Sequence, residues 1–306
     1  MSKSELLRGA VYGISAASIW GGMYVVSDVT LVSVPPFTLL TLRILLALLV
    51  LLPLNRARGQ AVADGQTKAE MLGIGAVGLG ISLGTQFVGT DLSTALNGAL
   101  VTSASPAFVV LFAMLLLRER LTRARLASIV LSSLGVVVIL NPAAADFSSD
   151  SFLGNVFLAV SAVTWGLYSV LVRTVALRHA LPTLTVTVYA LIGGLLLSIP
   201  ASAIELSKRP LGEVDAPVVF GVLYLGLVST ALALVLWNRA FVLVPATLAS
   251  LFFFAQPLTG ALLAVLILGQ EMTLALWLGG GLIAAALLLS ILRAPQNAPT
   301  TKKASP

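Results

Sequence analysis

The sequence predicts an all-α integral membrane protein of ten transmembrane helices, arranged as two inverted five-helix repeats. Three observations point there. Of 306 residues, 58% are hydrophobic and 10% charged, with a mean hydropathy of +1.04, whereas a soluble domain is about a quarter charged. Ten apolar runs are long enough, at about twenty residues, to cross ~30 Å of hydrocarbon as helices. Landmarks of the first half also return in the second at a nearly constant offset.

The runs cover residues 9–28, 36–54, 69–91, 95–117, 124–141, 152–173, 182–203, 216–238, 245–268 and 273–292. Lys3 and Arg8 precede the first, as in a signal peptide. It lacks a small-residue cleavage site, however, and continues through Trp20 and Tyr24, so it reads as a span. The connections are short. From Ala294 the chain turns Pro-, Lys- and Ser-containing and reads as a disordered tail, residues 294–306. The predicted division is 1–146 for the first five-helix repeat and 147–293 for the second.

Basic residues set the orientation, because cytoplasmic loops retain Lys and Arg. With the N-terminus in the cytoplasm, fifteen of the 18 basic residues fall on that side, from Lys3 and Arg8 through Arg118, Arg120, Arg123 and Arg125 to Lys302 and Lys303. Lys208 and Arg209 alone face the other side, and Arg43 lies within a span. Asp28, Asp91, Asp146, Asp150, Glu205, Glu213, Asp215 and Glu271 lie outside. Both termini are then cytoplasmic.

Several function classes are excluded. The net charge of +6 does not mark a nucleic-acid binder, since the basic residues sit at span ends rather than along one face. Cysteine is absent and His179 is the one histidine, so no metal cluster or cofactor is expected. Gly73, Gly75 and Gly78 spell G-x-G-x-x-G inside an apolar span, where a dinucleotide fingerprint has no strand-to-helix context. With Gly80, Gly84, Gly9 and Gly13 they read instead as close helix packing. No H-E-x-x-H, G-x-S-x-G or Walker A motif occurs, so an enzyme is not expected.

The repeat is visible in particular residues. Trp20-Gly21 returns as Trp165-Gly166, 145 positions later. Ala104-Ser105-Pro106 through Arg118-Glu119-Arg120-Leu121-Thr122 returns as Ala255-Gln256-Pro257 through Gln270-Glu271-Met272-Thr273, at an offset of 151 or 152. Five is odd, so a second set of five spans enters the membrane from the opposite side, as in many secondary transporters.

These residues also carry a family resemblance. Trp20-Gly21-Gly22, Arg43 with its apolar run to Leu51-Leu52-Pro53-Leu54, and Leu115-Leu116-Leu117-Arg118-Glu119-Arg120-Leu121-Thr122 resemble the ten-span EamA-type branch of the drug/metabolite transporter superfamily. In the second half so do Trp237-Asn238-Arg239-Ala240, Val244 to Ser250 and Gln256-Pro257. Gln270 departs from the usual Gly before Glu271. The resemblance implies export of small metabolites across a bacterial cytoplasmic membrane. Amino-acid exporters, including aromatic ones, are the best-known members. It implies a central cavity within spans 1–4 and 6–9, with spans 5 and 10 peripheral, in a monomer or homodimer within the lipid bilayer. Drug or other metabolite efflux and import or exchange are the alternatives, with a scaffold or membrane enzyme more remote.

Candidate site residues follow from position. Pro106 and Pro257 interrupt spans 4 and 9 at equivalent places, and such matched breaks point to a binding site. Trp20 with Tyr24, and Trp165 with Tyr168, share helix faces near mid-span. They suit an aromatic-lined cavity for an amino-acid-like substrate, with helix packing as the alternative. Gln86 and Gln256 are amides at membrane depth that should not face lipid. Arg43 reads as structural or gating, with a substrate carboxylate, an outer acid such as Asp28 or Asp91, or broken-helix carbonyls as candidate partners. Glu119 pairs with Arg123 or caps a neighbour, and Trp237 and Trp277 read as belt residues. No acid lies at mid-span, so facilitated export precedes proton exchange as the expected mode.

Overall fold

Long apolar runs leave the backbone one economical way to satisfy its N–H and C=O groups without water, which is the helix. The computed structural model describes residues 2–59, 64–93, 95–140, 148, 151–268 and 274–293, and among them there is no strand. In chain order the helices are α1 (Lys3–Gly21), α2 (Met23–Leu31), α3 (Pro36–Ala57), α4 (Gly65–Gly75), α5 (Leu83–Asp91), α6 (Ala95–Thr102), α7 (Ser105–Leu117) and α8 (Arg123–Leu140). The second half continues with α9 (Phe152–Arg178), α10 (Thr183–Lys208), α11 (Ala216–Leu223), α12 (Ala233–Leu243), α13 (Ala246–Ala249), α14 (Ala255–Leu268) and α15 (Leu274–Leu292).

Many of these are parts of longer rods. Among the described residues, eight stretches are long and apolar enough to cross a membrane: Lys3–Leu31, Pro36–Ala57, Gly65–Asp91, Asn97–Leu117, Phe152–Arg178, Thr183–Lys208, Ala216–Leu243 and Ala246–Leu263. The runs expected at 124–141 and 273–292 form α8 and α15, which pack tightly on each other. Gly135 makes that approach close, since a Cβ there would lie 2.7 Å from the carbonyl of Gly279. The repeat boundary at 146/147, Asp146, Asp150, Gln270, Glu271, the tail 294–306 and the side chain of Asp28 lie outside the described residues.

Helix starts follow local chemistry. Ser2 and Glu5 form a reciprocal capping box on α1. Asp64 caps α4 through the amides of Gln66 and Thr67 and the hydroxyl of Thr67. Those bonds, the Thr67 amide foremost, hold the Asp64 carboxyl below its usual range. Prolines open other helices where a missing N–H costs nothing, as at Pro36 in α3.

The rods are not uniform. Ala76–Ser82, between α4 and α5, is π-helical, and so is Tyr224–Leu232, between α11 and α12, 148 positions further on. Such wide turns are rare and recur at functional sites. The proline-marked rods also break. Pro106 lies in the first turn of α7, after a turn at Ser103–Ala104, and Pro257 in the first turn of α14, after the 3-10 segment Ser250–Phe254. The Thr102 carbonyl freed at the first break accepts from Ser105 Oγ at 2.7 Å.

Glycine packing follows the expectation at most positions. A Cβ on Gly75 would sit 2.0 Å from the Ala190 carbonyl, on Gly78 2.0 Å from the Tyr168 ring, and on Gly13 2.3 Å from Phe252. Gly9 and Gly84 are similarly tight, and Gly80 less so. Gly73 is the exception, facing open space.

Candidate functional site

The Trp-Gly pairs place the two broken rods. A Cβ on Gly21 would lie 2.2 Å from Thr259 Oγ1 and 2.8 Å from the Gln256 carbonyl; one on Gly166 would lie 2.7 Å from Phe108 Cβ and 2.9 Å from the Val109 amide. Each glycine therefore lets its helix touch a partner rod just beyond that rod's break. The preceding tryptophan is then held beside the break. This accounts for why the pair recurs as a pair.

Between these contacts lies a cavity lined by Trp20, Met23, Arg43, Ser82, Leu83, Gln86, Thr102, Ser105, Ser161, Trp165, Ser229, Leu234, Phe253 and Gln256. Both breaks and both π-helical segments supply lining residues. Five of the expected residues meet here, namely Trp20, Gln86, Trp165, Gln256 and Arg43. Pro106 and Pro257 each adjoin a lining residue without lining the cavity themselves. α10 also contributes no lining residue, although span 7 was expected among the enclosing spans. Its glycines instead bring it onto α4 and the first π segment, with Gly193 against the Leu72 carbonyl and Gly194 against Leu79. Among the described residues, none of α8 or α15 lines the cavity.

The tyrosines stand behind the wall. Tyr24 Oη is 2.5 Å from Thr102 Oγ1 and accepts from Gln86 Nε2 at 2.7 Å, so it orients a lining amide. Tyr168 lies against Trp165, with centroids 5.2 Å apart, and receives a bond from Asn238 Nδ2 at 3.2 Å. The two repeat tryptophans touch each other, Trp20 edge-on to Trp165 at 5.2 Å. Trp237 corrects the expectation of a belt residue. It is 1% exposed and packs 5.2 Å from Trp20 and 4.8 Å from Phe241. Position along a rod gives depth but not direction around it. Trp277, 66% exposed, does face outward.

Arg43 is 1% exposed. Its Nε donates to Thr230 Oγ1 at 2.6 Å, Nη2 to Ser229 Oγ at 3.3 Å and Nη1 to Met23 Sδ at 3.8 Å, and its guanidinium lies 5.1 Å from the Phe87 ring centroid. Among the described residues no carboxylate meets it. Sequence reasoning missed Ser229 and Thr230, because no proline marks a π-helical turn.

The cavity is small. Its volume is about 30 Å³, room for roughly two waters. Polar clasps hold the rods on either side of it. Glu119 does not pair with Arg123. It accepts from the amides of Ala246 and Thr247 at 2.9 Å each and from Thr247 Oγ1 at 2.8 Å, capping the rod that begins at Ala246. Arg173 Nε lies 3.6 Å from it and Arg125 Nη1 2.5 Å from Thr247 Oγ1. Elsewhere Arg209 bridges Asp91 at 2.5 Å and the Leu31 carbonyl at 2.7 Å, and Glu205 caps α3 through the amides of Phe37 and Thr38.

Known proteins give this arrangement a context. The model of the EamA-like transporter family matches residues 7–141 and again 152–292. An uncharacterized transporter of Archaeoglobus fulgidus is 27% identical, over 89% of this chain and 93% of its own. A protein of Pseudomonas aeruginosa named a probable biotin transporter is 32% identical, over 82% of this chain and 86% of its own. A crystal structure 23% identical, covering 94% of this chain and 98% of its own, superposes with a TM-score of 0.77 and shares the fold.

Proposed function

We propose that this chain, which belongs to the EamA-like transporter family and is a multi-pass membrane transporter, exports small metabolites, chiefly aromatic and other large neutral amino acids, by alternating access through its central cavity. The observation that carries this reading is the cavity at two broken rods, walled by Trp20 and Trp165 and fitted with Gln86, Gln256 and Arg43. Aromatic walls give an apolar side chain area and shape with little demand for charge. The amides supply partners for a polar head.

Ten spans in two inverted repeats support that cycle. Two family-model matches, one per half, and π-helical segments 148 positions apart favour the repeat. α8 and α15 serve as spans 5 and 10. The basic residues favour cytoplasmic termini in a bacterial inner membrane. Among the described residues no carboxylate lines the cavity, which favours a gradient of the substrate itself as the driving force. A second reading has a specific basis. Similarity to a probable biotin transporter favours a larger carboxylated solute. Flux in proteoliposomes, screened against amino acids, biotin, sugars and cationic drugs in both directions, decides between them. Saturable efflux of aromatic amino acids above the others supports export of amino acids, and saturable flux of none of the four classes refutes the transport reading.

A further inference from the structure

A guanidinium carries five N–H donors and no acceptor. In Arg43 three are engaged, all by uncharged atoms, and one of those is a thioether sulfur, a weak acceptor. Two donors, one on each terminal nitrogen, have no partner among the described residues. A buried cation is costly unless paired, and removing it from water without an anion forfeits most of the compensation. Yet Arg43 is among the largest fully buried side chains, and it lines the cavity rather than lying inside a packed interface. Hydroxyls and a ring face fix its direction: Thr230 Oγ1, itself donating to the Leu225 carbonyl, Ser229 Oγ, and the Phe87 face.

A second observation lies in the same cavity. Trp165 Nε1, a donor, and Gln256 Oε1, an acceptor, are buried without hydrogen-bond partners in residues 6% and 4% exposed. Unsatisfied buried polar atoms are rare enough to need a reason. Here three lining residues hold unused bonding capacity, and the cation's share calls for an anion.

We infer that Arg43 is the anion subsite of the transport cavity and that the solutes carried are carboxylates, paired by its two free N–H groups. This rests on the reading of the cavity as the transport site, and it names the head group rather than the side chain. The cavity as it stands has room for roughly two waters, so the carboxylate enters in a more open conformer and supplies the charge that the described residues leave out. Cationic and uncharged analogues of the same shape forfeit that pairing.

The purified protein supplies its own probe, since Trp20 and Trp165 line the cavity. Quenching of tryptophan fluorescence by phenylalanine, 3-phenylpropionate and phenylalanine amide is measured for wild type, Arg43→Gln and Asp28→Asn. In wild type both carboxylates should bind at least about tenfold more tightly than the amide, the worth of one charge-assisted hydrogen bond. Arg43→Gln should erase that difference while leaving the amide's own binding. If 3-phenylpropionate binds and phenylalanine does not, amino-acid export fails and the anion subsite stands. Three results overturn the inference: a wild type that binds the acids no better than the amide, an Arg43→Gln variant that keeps the preference or loses all three ligands equally, or an Asp28→Asn variant that reproduces Arg43→Gln and so identifies an internal counter-ion.

Discussion

Replacing Glu119 by glutamine should open the bundle at one end. The carboxylate caps the rod starting at Ala246 with three bonds of 2.8–2.9 Å and faces Arg173, and both side chains are 14% exposed. Hydrogen bonds to a charged group contribute about 1.5–3 kcal/mol each. Glutamine keeps one acceptor, now neutral, and turns an NH₂ toward an N–H or hydroxyl that needs an acceptor. The loss should come to about 3 kcal/mol in total, about a hundredfold in the balance between closed and open at that end. The chain has no cysteine, so Ser105→Cys installs a single thiol in the cavity wall without background. Its labelling by a membrane-impermeant thiol reagent should accelerate in Glu119→Gln by up to that factor, with reagent added from the Glu119 side only. Unchanged labelling, or acceleration from the opposite side, refutes the assignment of Glu119 as a clasp.

Three further outcomes follow. Gly75→Ala drives a Cβ to 2.0 Å of the Ala190 carbonyl, whereas Gly73→Ala meets nothing within 4 Å. The first should lower thermal stability by several degrees or prevent folding, and the second should gain about 0.5–1 kcal/mol of helix propensity, as read by thermal melts in detergent. Asp64 has a lowered carboxyl pKa against an ordinary 3.8, so its capping contribution is complete above pH 3.8 and is lost as pH falls through the lowered value. Amide exchange at residues 66–68 should quicken only below that range, and in Asp64→Ala it should be fast throughout. Topology reporters fused at Gly59 and Ala294 should read cytoplasm and one at Ser148 the exterior; an external Ala294 would break the ten-span count.

The long helices were legible because membrane-crossing rods need only sustained apolarity, and Pro106 and Pro257 announced their breaks by lacking an N–H. The π-helical turns left no such mark, since Ala76–Ser82 and Tyr224–Leu232 contain the small and apolar residues of any span. Trp20 and Trp165 were placed by their recurrence. Trp237 was not, because depth along a rod says nothing of which neighbour a ring meets. Tyr24 follows Trp20 by four residues, but it lies on α2, past the turn at Gly22, where it braces the wall through Gln86. Glu119 showed its chemistry but not its reach, because its partners Ala246 and Thr247 lie 127 and 128 positions away. Arg43 stood out as a charge within a span; that its nearest partners are hydroxyls, a thioether and a ring came only with the structure.

Whether solute passes through the cavity itself is tested most directly by blocking it. In proteoliposomes holding Ser105→Cys, counterflow of a labelled substrate is measured before and after thiol modification, beside Leu288→Cys on an outward-facing position that is 60% exposed. Flux should stop once the residue-105 thiol carries its adduct and continue when the residue-288 thiol does. Undiminished flux through a protein fully modified at position 105 would contradict a path past Trp20, Trp165 and Arg43.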